Sequence, residues 1–386
     1  MDARTGLPVV GMVGAGQLAR MTHQAAIPLG QSLRLLADSP DDGAAMVAAD
    51  VVVGDYRDLD DLRAFARGCD VVTWDHEHVP NEHIRALAAD GVAVHPGPDA
   101  LRFAQDKQAM RERLTELGVP CPRWAPVATA ADVERFASQA GWPVVLKATR
   151  GGYDGKGVWV VSDADQAGEV LDIGATFLVE EKVAIVRELA ADVARSPFGQ
   201  GAAWPVVETV QENGICVEVL APAPGLADEV AEQAQALALR IAEELGVTGV
   251  LAVELFETAD GLLVNELAMR PHNSAHWTIE GARTSQFEQH LRAVLDYPLG
   301  DTTPTAPVTV MANLLGGPED VVPKALDERV HHCLAHWPDV KIHLYGKQFR
   351  PGRKVGHVTA LGTDLETVRG RARAAADYLM NGDRGA

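Results

Sequence analysis

"PVVGMVGAGQLARMTHQAA", residues 8–26, runs from an apolar strand through a glycine turn straight into a helix. This junction constrains the fold more than any other feature, because strands that alternate with helices build a parallel α/β sheet. "SLRLLAD", "DVVVGD", "CDVVTWD" and "GVAVHPG" read as further strands of that sheet. "GAGQLA", Gly14 to Ala19, also fits G-x-G-x-x-A, and Asp38 closes the next strand where a ribose-binding acid belongs in a dinucleotide site. Three readings of the turn stand: a dinucleotide site, a cradle for the phosphate or ribose of another ligand, or a tight turn that holds nothing.

"HPGPDALRFAQDK" marks a boundary, and beyond it the strands lengthen and pair as hairpins. Between the expected strands Pro143–Lys147 and Val158–Val161 lies "KATRGGYDGKG", with more glycine than a hairpin turn needs. Glycines let backbone N–H groups converge on an anion and lysines supply countercharge, so the loop reads as a cover over phosphate. A plain surface hairpin is the bland alternative. Residues Asp228–Leu245 place Val230, Ala234, Leu237, Ile241 and Leu245 at helical spacing, and Gly246 is the expected stop. "YPLGDTTPTAP" then links to a smaller C-terminal unit.

"LAVELFETADGLLVNELAMR" reads as a hairpin. A three-residue loop, Ala259–Gly261, pairs Thr258 with Leu262 and sets Glu254 directly opposite Glu266. A two-residue turn would put the two carboxylates on opposite faces. Like charges in direct opposition destabilise a sheet unless something neutralises them. Oxygen-only ligands suit Mg²⁺, which takes one or two carboxylates plus substrate phosphates. The alternative is a solvated face that happens to carry two glutamates.

A formal net charge of -20 argues against nucleic acid and anionic membranes as partners. The four cysteines are scattered without C-x-x-C spacing, which suits reduced thiols. With no signal-peptide pattern and no apolar stretch long enough to span a bilayer, a soluble cytoplasmic protein is expected.

Lys107 in "QDK", Lys147 before the glycine loop, "FLVEEKV", and Glu254 with Glu266 follow one another in the order that resembles the ATP-grasp superfamily. Within it, "GAGQLARM", "GGYDGKG", "NELAMRPHNSAHWT" and "RPGRKVGHVT" resemble the N5-carboxyaminoimidazole ribonucleotide synthase family, from the N-terminus to about residue 360. "RPHNSAHWTIEGARTSQFEQHLRA" is a specific signature and "GAGQLA" a weak one.

The resemblance implies an ATP-grasp fold of mixed α/β and α+β class in three domains. Residues 1–104 would form a doubly wound, biotin-carboxylase-like domain, 105–300 the ATP-grasp domain with its lid, and 301–386 a small C-terminal domain. It also implies a homodimer, ATP and Mg²⁺, and a reaction in which ATP, bicarbonate and 5-aminoimidazole ribonucleotide give the N5-carbamate, ADP and phosphate. Lys107 and Lys147 would then contact the ATP phosphates under a lid of Gly152, Tyr153, Asp154, Gly155, Lys156, Gly157 and Val158. Glu180, Glu181, Lys182 and Val183 would form the adenine edge, Glu188 would accept from the ribose, and Asn265 and Glu266 with Glu254 would hold Mg²⁺. Tyr153, Asp154, Arg270 and His272 are the implied catalytic groups around bicarbonate and the amine. Gly16, Gln17, Leu18, Glu77, Asp154, Asn273, Ser274, Arg353 and Lys354 are the implied ribonucleotide contacts, the last two from a basic turn suited to a 5′-phosphate.

The chain departs from the family pattern in two places. "TWDHEHV" stands where "T-Y-E-F-E-N" is common, and Gln211 replaces a nucleotide-contacting histidine before the "GI" turn. Rival readings are a formate-dependent transformylase or biotin carboxylase of the same superfamily, an NAD-dependent oxidoreductase, and a nucleotide sensor without turnover.

Overall fold

The computed structural model describes residues 1–152, 155–317 and 326–382. Strands β1 (Val9–Val13), β2 (Ser32–Ala37), β3 (Asp50–Val53) and β4 (Val71–Trp74) form a parallel sheet in the order β3-β2-β1-β4. Its central strands are near-continuous apolar runs because helices cover both faces; Val10, Met12 and Val13 are fully buried. "GVAVHPG" does not become a strand. It makes a single bridge, Val94 to Val72, before the Pro96 ring removes the donor that would continue pairing.

The glycine turn after β1 has a specific cause. Gly14 has φ +99°, and a Cβ there would lie 2.8 Å from the Cβ of Asp75; one on Gly16 would lie 2.7 Å from Asp75 Oδ2. The Asp75 carboxylate accepts from the N–H groups of Gly16 (2.5 Å) and Ala19 (3.0 Å), at the N-terminus of helix Gln17–Ala26. The protein's own anion thus sits where a dinucleotide pyrophosphate would sit. The NAD reading of this turn is therefore corrected.

Strands β5 (Trp124–Val127), β6 (Val144–Ala148), β7 (Val158–Val161) and β8 (Phe177–Glu181) form a small antiparallel sheet in the order β5-β8-β6-β7. The glycine loop joins β6 to β7. Gly151, Gly155 and Gly157 have positive φ, and Gly155 packs against Gly214. Gly152 is tight for another reason: a Cβ there would come within 2.8 Å of the Lys156 carbonyl oxygen.

The spine of the molecule is a nine-stranded sheet built from β9 (Arg187–Arg195), β10 (Gly201–Ala203), β11 (Val207–Glu212), β12 (Ile215–Ala221), β13 (Gly249–Thr258), β14 (Gly261–Ala268), β15 (Val308–Leu315), β16 (Lys341–Leu344) and β17 (Lys354–Gly362). Its main path runs β14-β13-β9-β11-β12-β15-β17-β16, so the C-terminal strands extend the same sheet through β12 and β15. Helix Asp228–Glu244 packs its apolar stripe (Ala234, Ala238, Ile241) into one cluster with Leu189, Ala191 and Val193 of β9 and Leu251, Val253 and Leu255 of β13. Strand alternation then turns Glu188, Ala190 and Asp192, with Ala252 and Glu254, to the opposite face. That face carries the site.

Glu254 does pair with Glu266, but not through the expected turn. The loop has two residues, Ala259 and Asp260, with Thr258 opposite Gly261. A register shift between Glu254 and Leu255 leaves Asn265 without an opposite residue and restores the opposition of the carboxylates. The bulge re-aims the chain, so that the consecutive residues Asn265 and Glu266 both reach the site.

Candidate active site

Two elements bring three cations to the bulge of β14. Lys147, from the end of β6, lies 2.7 Å from Glu180 Oε2 and donates to Asn265 Oδ1 at 2.9 Å. Lys107, the first residue of helix Lys107–Glu116, donates to Glu266 Oε1. Arg111, one turn on, is fully buried. It donates to Glu180 Oε1 at 2.7 Å and to the carbonyls of Val264 (3.0 Å) and Asn265 (2.8 Å). Burial pushes the Glu180 carboxyl up, and Lys147 and Arg111 more than offset this, so it lies below its ordinary range. Burial lowers Lys147 despite Glu180.

Glu254 is treated differently. Among the described residues no lysine or arginine forms an ion pair with it: Asn265 Nδ2 approaches at 3.4 Å and His272 Nε2 at 3.3 Å, while Lys107 and Lys354 act on it only through their field. Burial, then Glu266 and Glu188, push it up to about 7. Glu188, half-buried and without a side-chain hydrogen bond among the described residues, is also raised, chiefly by burial.

After β14 the chain turns through Arg270 to a one-turn helix, Asn273–Ala275. Glu77, beyond β4, accepts from the N–H of Met269 at 2.8 Å and lies 3.4 Å from the Arg270 guanidinium. His272 is clamped by Gln286, which accepts from its N–H (2.7 Å) and donates to its carbonyl (2.8 Å). Burial, then Arg270 and Lys354, hold His272 well below its ordinary range, so the imidazole is neutral. Lys354 at the start of β17 thereby joins the same cluster.

Several expected contacts are already engaged within the protein. The N–H of Gly16 is committed to Asp75 and the Leu18 side chain is core, while Gln17 Oε1 accepts from Lys347 at 2.5 Å. The Ser274 hydroxyl, expected to meet ribonucleotide, is buried between Asp192 and His272. Asn273 and Asn313 exchange hydrogen bonds of 3.1 and 2.8 Å. Glu180 offers only its backbone to an adenine, since its carboxylate is in the ion cluster. Glu181 is held by Arg123, with Lys182 exposed and Val183 half-buried beyond it. Gln211 sits at a register shift in β11, and Arg353 donates to the Gln348 carbonyl. Gly152, Gly155, Lys156 and Gly157 lie in the loop between β6 and β7, with Gly152 beside Lys107, and Val158 opens β7; Tyr153 and Asp154 are outside the described residues. Arg111, Asp75, Asp192 and Gln286 were not legible as site residues, because each acts through a partner outside its own element.

Glu254 and Glu266 suit a divalent cation: two opposed carboxylates, one raised toward neutrality, with an amide oxygen at the bulge. Among the described residues, no group of three or more histidine, cysteine or acidic side chains gathers as a metal site. A cation here would need oxygens from its ligand.

Family models match as an ATP-grasp domain over residues 112–287, a ribonucleotide synthetase preATP-grasp domain over 7–105, and a phosphoribosylaminoimidazole carboxylase C-terminal domain over 309–371. The N5-carboxyaminoimidazole ribonucleotide synthase of Mycobacterium tuberculosis is 60% identical over 380 residues, 97% of this chain and 88% of that protein. The N5-carboxyaminoimidazole ribonucleotide synthetase of Thermus thermophilus superposes with a TM-score of 0.86 at 38% identity, covering 98% of this chain and 100% of that one. The Aspergillus clavatus synthase, solved with ADP and 5-aminoimidazole ribonucleotide, gives a TM-score of 0.87 at 31% identity over 96% and 98% of the chains.

Proposed function

The chain belongs to the N5-carboxyaminoimidazole ribonucleotide synthase family, and we infer from its site how its residues serve that family's reaction. It is an ATP-grasp ligase for the ATP-dependent carboxylation of 5-aminoimidazole ribonucleotide in purine biosynthesis. The observation that carries the residue assignment is the β14 bulge, where Lys107, Lys147, Glu254 and Glu266 converge.

Bicarbonate is a poor electrophile. Its oxygen attacks the γ-phosphorus of ATP, the bond to ADP breaks, and carboxyphosphate forms. Lys107 and Lys147 are placed to spread the charge that develops on the phosphoryl oxygens. Glu254 and Glu266 would hold Mg²⁺, which neutralises phosphate charge when bound. Carboxyphosphate then divides into CO₂ and phosphate. The substrate amine forms its N–C bond to the CO₂ carbon and loses a proton. Arg270 offers a planar fork for an anion, held in line by Glu77, and His272 stands beside it. The loop from Gly151 to Gly157 is the cover that keeps water from carboxyphosphate. The backbone of Glu180–Val183 would read the adenine, and Glu188, whose side chain has no donor among the described residues, would take the ribose. Domain limits at 1–104, 105–300 and 301–386, a homodimer and a cytoplasmic location complete this reading. No helix among the described residues is long and apolar enough to cross a membrane.

ADP release tests the reading directly. Bicarbonate should stimulate it and the ribonucleotide should be consumed in step; stimulation by formate instead would point to a transformylase. Lys354→Ala should raise KM for the ribonucleotide about ten- to a hundredfold and leave KM for ATP nearly unchanged, as the loss of a charge-assisted bond to phosphate requires. Equal effects on both would remove the basic turn from the monophosphate site.

A further inference from the structure

We propose that Asp192 acts through Ser274 as a positioning acid that fixes the proton of His272 on Nε2, the nitrogen facing Glu254. β9 delivers Asp192 to the site face, where it is 4% exposed and forms no ion pair among the described residues. Its side chain reaches one partner: Ser274 Oγ lies 2.9 and 3.1 Å from its two oxygens. The same Oγ lies 2.8 Å from His272 Nδ1.

The backbone sets the direction of this chain. The Ser274 N–H points at His272 Nδ1 from 3.4 Å, and an N–H can only donate. Nδ1 is therefore an acceptor, and the proton of the neutral ring is on Nε2. The Ser274 hydroxyl proton also turns to Nδ1, so Oγ is left to accept from Asp192, which must be the neutral acid. A buried carboxyl with no cation beside it is suited to that role, since burial pushes Asp192 up to about 7. An ionised Asp192 would take the hydroxyl proton for itself. Nδ1 would then have to donate, facing the Ser274 N–H, and a lone pair on Nε2 would face the site.

The difference matters for an anionic substrate. With the proton on Nε2, His272 donates toward Glu254, 3.3 Å away, or toward an oxygen of bicarbonate. With it on Nδ1, a lone pair meets the anion. This consequence rests on placing His272 beside bicarbonate; the tautomer itself does not.

The test uses the full-length protein labelled with ¹⁵N-histidine. The His272 signals, assigned by their loss in His272→Gln, should show an unprotonated Nδ1 and a protonated Nε2. Ser274→Ala and Asp192→Leu should each lower kcat/KM for bicarbonate about ten- to a hundredfold, the usual range for partners that orient a site ligand. KM for ATP should stay within about twofold, because no uniform loss of binding is involved. Asp192→Asn, whose amide donates to Oγ as the neutral acid does, should retain most activity. A protonated Nδ1 in the wild type, or Asp192→Asn as damaging as Asp192→Leu, would overturn the proposal. If Asp192→Leu does not fold, the spectrum, Ser274→Ala and Asp192→Asn decide it. Full activity of His272→Gln would overturn the role of His272 in turnover and leave the tautomer to be judged by its own spectrum.

Discussion

Glu254→Gln and Glu266→Gln should each cut kcat by at least about a hundredfold at saturating Mg²⁺, yet shift the stability of the metal-free protein in opposite directions. Both losses follow from removing one of the two carboxylates proposed to hold the cation. The stability difference follows from Lys107. It compensates Glu266, whereas Glu254 has an amide and a neutral imidazole for company. The Glu254 carboxyl is pushed up to about 7 from an ordinary 4.5 by burial and then by Glu266 and Glu188. Between those values the folded state holds a proton that the unfolded state has released, so stability falls as pH rises through the window. Glu254→Gln removes that loss and should raise Tm above about pH 7, with little change below the ordinary carboxyl range. Glu266→Gln strands Lys107 and should lower Tm. The opposed carboxylates, which the sequence shows, would make either substitution a gain; the lysine beside Glu266, which it does not show, separates the two. Thermal unfolding without metal across this pH range, with ADP release at saturating Mg²⁺, checks both. Undiminished turnover in either variant would remove the cation site.

The sheet-forming runs were legible because burial on both faces leaves an uninterrupted apolar signature, as in β1 and β4. "GVAVHPG" carries the same signature, but proline punctuation reduced it to one bridge. The glycines of "GAGQLA" reported a close approach correctly. They could not report that the approaching group is Asp75, from the far end of β4. The hairpin reached the expected pairing of Glu254 with Glu266 by a shorter turn and a bulge, and no local residue pattern distinguishes those two routes. Arg111 and Asp192 were hidden for a common reason. Each is an ionisable side chain in a stretch that reads normally for its element, and only desolvation among partners remote in sequence makes it informative.

Arg111→Met should destabilise the fold by about 3–5 kcal/mol, the usual cost of removing one member of a buried ion pair. "KQAMRERL" reads as the polar face of a surface helix, yet Arg111 is 1% exposed and holds three oxygen acceptors at once, with Cys121 Sγ 3.7 Å away. Without it, the carbonyls of Val264 and Asn265 lose their buried donor, and Glu180 keeps only Lys147. Arg111→Lys should recover part of the loss at most. A single ammonium can meet Glu180, but it cannot reproduce the planar fork that spans the carboxylate and both carbonyls. The urea midpoint of each variant measures the effect, and Arg111→Met within about 1 kcal/mol of wild type would show the cluster to be dispensable for folding. Activity should fall further than stability alone explains. The Asn265 carbonyl that Arg111 holds belongs to the residue that carries the β14 bulge, and Lys147 and Glu254 both meet that residue's amide. Loosening the bulge therefore loosens Lys147, the proposed phosphate cation, and Glu254, the proposed metal carboxylate, together.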